Sequence, residues 1–236
     1  MKLNYLLVLF VVFSFTGKKT DLPDIDLFVS PKNRQELITK MQWLPLGVKE
    51  SDSTKIILQK ISKYLNAYQP KSEFEDDAYA KISVLQALKS VKTGGYGIGA
   101  VIYEKKTGKV LHASHNKQLH KNRSDLHGEM SLMNEFENNP KFKRYRDRYI
   151  YKEGLIIMSS AEPCPMCFIR LATVGVDTKF CTIGPDDGMT SRVDCLPAFW
   201  RDLAKKHEFV KAKSSKELQL LAHIMFFSFL LDGRHV

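Results

Sequence analysis

Four residues of this sequence have the types and spacings that bond-making chemistry needs. Cys164 and Cys167 stand three apart in Glu162-Pro163-Cys164-Pro165-Met166-Cys167, and His127 and Glu129 stand two apart in Asp125-Leu126-His127-Gly128-Glu129. The apolar run 154–159 before the cysteines reads as a buried strand, and the residues after them have helical apolar content. Both thiols then lie in the first turn of a helix, where they are neighbours and where the helix dipole favours thiolate. Pro165 suits that first turn. The Cys-x-x-Cys spacing by itself leaves a metal clamp, a redox couple and a structural disulfide open.

The rest of the chain must supply any further donors, and it has no second Cys-x-x-Cys pair. A helix capped by Ser124 or Asp125 would carry His127 in its first turn. His127, Cys164 and Cys167 would make three ligands with an open fourth position, the arrangement of a catalytic zinc site. Glu129 would then be a carboxylate beside the open position, able to move protons. Two rivals use fewer of these residues. A redox pair would have no need of His127 and Glu129. A structural zinc site would want a fourth protein ligand, Cys181 or Cys195, and would have no need of Glu129. Cys181 otherwise reads as a buried strand residue and Cys195 as a loop or helix-start thiol. In an exported chain those two would be candidates for a disulfide.

His127-Gly128-Glu129 followed by Pro163-Cys164-x-x-Cys167 resembles the signature of the zinc-dependent deaminases of the cytidine deaminase-like superfamily. The stretch 99–103, Gly-Ala-Val-Ile-Tyr, looks like the first strand of that family, and the likeness covers about residues 74–183. Position 128 is usually alanine in the family and is glycine here. Within the superfamily, Glu-Pro-Cys-Pro-Met-Cys is similar to guanine deaminase and the tRNA adenosine deaminases. The resemblance implies one Zn2+ per chain on His127, Cys164 and Cys167, Glu129 as proton shuttle, and Asn116 as the residue that binds the base. It implies hydrolytic deamination of a nucleobase or nucleoside, with zinc-activated water attacking the amino-bearing ring carbon. A free purine such as guanine is favoured as substrate. Adenosine or cytidine in tRNA or single-stranded nucleic acid is the alternative, and a non-catalytic zinc-binding module is the alternative of another class. Relatives commonly form homodimers.

The elements that must position these residues follow from hydrophobic period and turn chemistry. Ser30 to Tyr68 reads as helical, started at Ser30-Pro31 and interrupted at residues 43–47; a polar stretch at 69–77 marks a boundary. Phe74 to Val91 reads as a further helix ended by Thr93-Gly94-Gly95. Residues 98–103 and 109–113 read as a hairpin, 178–183 as another strand, and 196–205 and 216–231 as helices. Strands alternating with helices argue for a layered α/β fold. The resemblance specifies a three-layer α/β/α sandwich with a mixed central sheet over residues 73–236, preceded by a helical extension at 18–72.

The 236 residues are 44% hydrophobic and 26% charged, ordinary values for a globular protein, and four cysteines are too few for a disulfide scaffold. The net charge of +10 permits a nucleic-acid partner without specifying one. In residues 141–149, Lys-Phe-Lys-Arg-Tyr-Arg-Asp-Arg-Tyr, bases and aromatics alternate, which suits either a phosphate-gripping surface or a solvated helix face. Asp186 and Asp187 follow a Gly-Pro turn and are candidates for the pocket rim. Residues 1–17 have the layout of a secretory signal, a basic start followed by a short apolar run. That predicts export or anchoring through this segment, with a cytoplasmic protein as the alternative.

Overall fold

The computed structural model describes residues 29–184 and 188–234; the signal-like segment and Asp186 and Asp187 lie outside the described residues. The chain begins with helices Arg34–Met41 (α1), Thr54–Ala67 (α2) and Asp77–Lys92 (α3). A hairpin follows, Gly99–Glu104 (β1) and Val110–His115 (β2), then the short helix Gln118–Lys121 (α4) and the helix Gly128–Asn138 (α5). A 3-10 stretch at Pro140–Arg146 leads into Arg148–Gly154 (α6), Leu155–Ala161 (β3), Pro165–Val174 (α7) and Asp177–Thr182 (β4). The chain closes with Ala198–Ala204 (α8), Phe209–Lys211 (β5), Lys216–Phe226 (α9) and a 3-10 turn at Ser228–Asp232.

The five strands form one mixed sheet in the order β2-β1-β3-β4-β5. β1 runs antiparallel to both β2 and β3, while β3, β4 and β5 are parallel. Side chains alternate between the two faces of each strand, as pleating requires. Val101, Tyr103, Ile156, Met158 and Cys181 join one core with α1, α2, α3 and α9. Ala100, Ile102, Leu155 and Ile157 join a second core with Leu132, Met133 and Phe136 of α5 and Leu171 of α7. The result is the expected three-layer α/β sandwich with a mixed sheet. The helices α1 and α2 are part of the first core rather than a separate one.

Local signals explain most boundaries. Asn33, not Ser30, caps the first helix: its side chain accepts from the backbone N–H of Glu36. Ser53 does the same for Ile56 at the start of α2, and Ser215 for Leu218 at the start of α9. Gly94 and Gly108 have positive φ where the chain leaves α3 and turns between β1 and β2. Among the described residues no helix is long and apolar enough to cross a membrane.

Candidate metal centre at the end of the sheet

The register places the ends of four strands at one edge of the fold. Gly99 at the start of β1 pairs with His115 at the end of β2, Ala100 with Ser159 near the end of β3, and Ala161 with Thr182 at the end of β4. Crevices outside the carboxyl ends of parallel strands are where open α/β sheets bind ligands. The loop after β3 carries the cysteine motif there. Cys164 is the capping residue of α7, Pro165 its first helical residue, and Cys167 lies within the first turn, as expected. His127 is the residue immediately before α5 rather than a residue of its first turn, and its side chain caps nothing. Its imidazole is thereby turned toward the cysteines. Nδ1 lies 3.5 Å from the Cys164 Sγ.

One ligand atom from each of His127, Cys164 and Cys167 lies within 4.8 Å of the others. A tetrahedral zinc with Zn–N about 2.0–2.1 Å and Zn–S about 2.3 Å puts neighbouring ligand atoms roughly 3.6 Å apart. The trio fits the ion in both spacing and donor type, and it is the candidate site for one zinc. Cys167 is buried at 1% exposure, while His127 and Cys164 are half-buried and leave the cluster open on one side. The Cys164 thiol is pulled down to about 4, chiefly by the hydrogen bond from Cys167, with burial opposing and His127 assisting. Donating that bond, together with burial, pushes the Cys167 thiol up.

Glu129 lies one residue into α5 and is 3% exposed. The Ser159 hydroxyl donates to its Oε1 at 2.9 Å, fixing the carboxyl from β3. Burial raises this carboxyl above the ordinary carboxylate range, and the neighbouring Cys164 adds to the shift. Gly128, between His127 and Glu129, meets the backbone of Ile98. A Cβ there would come 2.8 Å from Ile98 Cγ2 and 3.0 Å from Ile98 O, which accounts for glycine at this position.

Asn116 follows β2 at the same edge of the sheet and is 1% exposed. Its backbone N–H donates to Ile98 O at 2.8 Å. Both ends of its side-chain amide are taken by Gln118: Oδ1 accepts from the Gln118 N–H at 3.0 Å and Nδ2 donates to Oε1 at 2.7 Å. The structure thus brings His127, Cys164, Cys167 and Glu129 together, and places Asn116 at the same edge in the company of Gln118.

Cys181 is buried in β4 and Cys195 is exposed at the end of the 190–195 turn; neither is in a disulfide. Neither belongs to the metal cluster. Two supporting residues escaped the sequence reading. Ser159 lies inside an apolar strand run and gives no signal of its own. Glu162 lies within the cysteine motif, yet its partners are more than twenty residues away.

Residues 74–182 match the family model of the cytidine and deoxycytidylate deaminase zinc-binding region. A cytosine deaminase of Candida albicans is 34% identical over 94 residues, 40% of this chain, and the chain spans 57% of that relative's length. A solved structure in complex with 2,6-diaminopurine is 16% identical with a TM-score of 0.52, covering 72% of this chain and 89% of that one. A guanine deaminase from Nitrosomonas europaea is 15% identical with a TM-score of 0.49, covering 79% and 96% respectively. The match over residues 74–182 thus falls on a cytidine and deoxycytidylate deaminase zinc-binding region, and the mixed sheet that carries it shares the fold of the structure solved with 2,6-diaminopurine.

Proposed function

We propose that this chain is a zinc-dependent hydrolase that deaminates a nucleobase or nucleoside, with a free purine such as guanine favoured. The observation that carries the reading is the pairing of a three-ligand cluster with a buried carboxylate held beside it. A structural zinc site has no use for that carboxylate. Bound zinc supplies the acidity that makes water a nucleophile at neutral pH.

The chain's own residues do the rest. His127 Nδ1 and the sulfurs of Cys164 and Cys167 hold the ion and leave the half-buried side to water and substrate. Glu129, fixed by Ser159, accepts the proton given up by the attacking water. It passes that proton to the ring nitrogen, then takes the second proton from the newly added hydroxyl and delivers it to the departing ammonia. Asn116 binds the base by hydrogen bonds once its amide is exchanged from Gln118 to the substrate. The purine preference rests on the Glu-Pro-Cys-Pro-Met-Cys motif, and the structural relative noted above was solved with a purine.

A second reading is a base within RNA or single-stranded DNA. Lys141, Lys143, Arg144 and Arg146 line an open surface groove of about 930 Å³. Phe142 and Tyr145 of the same run pack against Phe136 instead, so they are not available to stack bases. The basic side chains of this surface would contact phosphates, and Tyr149, exposed at the end of the run, is the aromatic placed to stack.

A mass-spectrometric panel tests both readings. Zinc-loaded protein is offered guanine, adenine, cytosine, their nucleosides, tRNA and single-stranded DNA, beside Glu129→Ala. The expected result is replacement of an amine by a carbonyl on a purine, absent in the variant, with zinc content equal in the two proteins. Turnover retained by Glu129→Ala, or none on any substrate with zinc bound, would overturn the proposal.

A further inference from the structure

Glu162 has no place in the chemistry above, yet it is one of the most constrained carboxylates in the molecule. It is 6% exposed, and no lysine, arginine or histidine among the described residues pairs with it. Taking a carboxylate out of water without a partner charge is unfavourable unless hydrogen-bond donors replace the lost water. Three donors offset that here, and all come from the loop after β4. The Gly184 N–H donates to Oε2 at 3.1 Å, and the Thr190 N–H donates to Oε1 at 2.9 Å. The Thr190 hydroxyl donates to Oε1 as well.

Two more contacts close the same junction. The Met189 N–H donates to Pro163 O at 3.1 Å, one residue before Cys164. Met189 itself is buried against Phe168 and Ala172 of α7. Gly188 lies directly on the carboxyl group, so that a Cβ there would fall on Glu162. A residue needed only to fill space would not be an acid. The geometry fits a clamp between the loop that carries the cysteines and the residues flanking the exit from β4, both beyond the carboxyl ends of these parallel strands, where such sheets bind ligands.

We propose that Glu162 is a positioning residue that locks Gly184 and residues 188–190, beyond the end of β4, onto the cysteine loop and so fixes one wall of the substrate crevice. The clamp itself stands on the contacts above. Its consequence for substrate rests on the deaminase reading.

Hydrogen exchange on the full-length, zinc-loaded protein tests the clamp without a substrate. In Glu162→Gln the amide keeps one acceptor oxygen, and its N–H2 must face either the Gly184 N–H or the two Thr190 donors. Peptides covering residues 188–195 should exchange about 10-fold faster or more, since each charge-assisted bond lost is worth one to two powers of ten. Peptides from β1 and α2 should keep their rates, and zinc should remain at one per chain. Thr190→Val, which removes one donor and is milder for folding, should give a smaller rise in the same peptides. Gly188→Ala should speed exchange in the native background and add little in Glu162→Ala, where the clash is gone.

On the substrate identified by the panel, Glu162→Gln should raise KM about 10-fold while kcat changes less. Unchanged exchange at 188–195, loss of zinc, or additive effects of Gly188→Ala and Glu162→Ala would each overturn the clamp. A fall in kcat with KM unchanged would overturn its role toward substrate. If no substrate turns over, the deaminase reading fails while the exchange rates and the Gly188 cycle still decide the clamp.

Discussion

At the scale of single residues, the turn His127-Gly128-Glu129 is built around an absent side chain. Ile98 packs where a Cβ at 128 would be, and its carbonyl is held by the Asn116 N–H. An added methyl must push either the start of β1 or the start of α5, and both border the metal cluster. We expect Gly128→Ala to lose roughly 1–2 kcal/mol of stability from overpacking, partly offset by up to about 1 kcal/mol of helix propensity. It should also release zinc at lower chelator concentration than the native protein; a chelator titration with a zinc indicator checks this. Ser159 gives a contrasting case. Ser159→Ala removes the hydroxyl that donates to Glu129 Oε1 while leaving the candidate ligands untouched. It should keep one zinc per chain and lower kcat by about 10-fold, the effect of a loosened proton-transfer group. Metal analysis beside steady-state kinetics separates the two effects. The candidate metal donors and Glu129 were legible in the sequence because their two short motifs together resemble a known signature, whereas the Cys-x-x-Cys spacing alone left a redox couple and a disulfide open. Ser159 and Glu162 were not, because each acts through a partner 22 to 30 residues away in the chain.

At the scale of elements, the hairpin, β3, β4 and the helix after the cysteines could be read from period and turn residues, since each has a clear apolar face. β5 was missed for a physical reason. It is three residues long, lies at the sheet edge and has Val210 and Lys211 exposed, so no alternation marks it. The basic-aromatic run at 141–149 was expected to be a helix face or a nucleic-acid grip. It is a 3-10 stretch entering α6, with Tyr145 and Phe142 serving as anchors under α5. Asp77, fully buried in the first turn of α3, ties three elements together. It accepts from the Tyr68 hydroxyl at the end of α2, from the Lys71 N–H at 2.9 Å and from the Ser215 N–H at 2.7 Å ahead of α9. Asp77→Ala would leave the Lys71 and Ser215 N–H groups without this acceptor, while the Tyr68 hydroxyl keeps the Ser215 hydroxyl at 2.6 Å. The expected loss is about 2–4 kcal/mol, measured as a lower urea midpoint at fixed zinc, with the far side of the sheet keeping its hydrogen-exchange protection.

For the whole molecule, the burial of two histidines makes stability depend on pH. His223 is fully buried, with Nδ1 beside the Thr182 hydroxyl of β4 and Nε2 beside the Val29 carbonyl. Burial pushes its imidazole down to about 4, Lys40 adds to the shift, and the Val29 carbonyl opposes it. His115, at the end of β2, is also held down to about 4, by burial first and by Lys117 and Lys89 after it. An unfolded imidazole titrates near 6.5. Between pH 6.5 and pH 4 the unfolded chain therefore binds more protons than the folded one, and stability must fall as pH falls. The contribution is fully present above pH 6.5 and is lost on the way down to about 4. Each histidine adds a slope of at most about 1.4 kcal/mol per pH unit. Protonation of the metal ligands would also weaken the protein in acid, so the native curve alone does not isolate this effect. The difference between native protein and His223→Gln does, because the metal site is the same in both and cancels. Urea unfolding at intervals from pH 7.5 to pH 4.5 should show the variant losing stability less steeply than the native protein, by close to one proton's slope. Parallel curves would mean that His223 takes up its proton within the folded core, with the Val29 carbonyl as its partner.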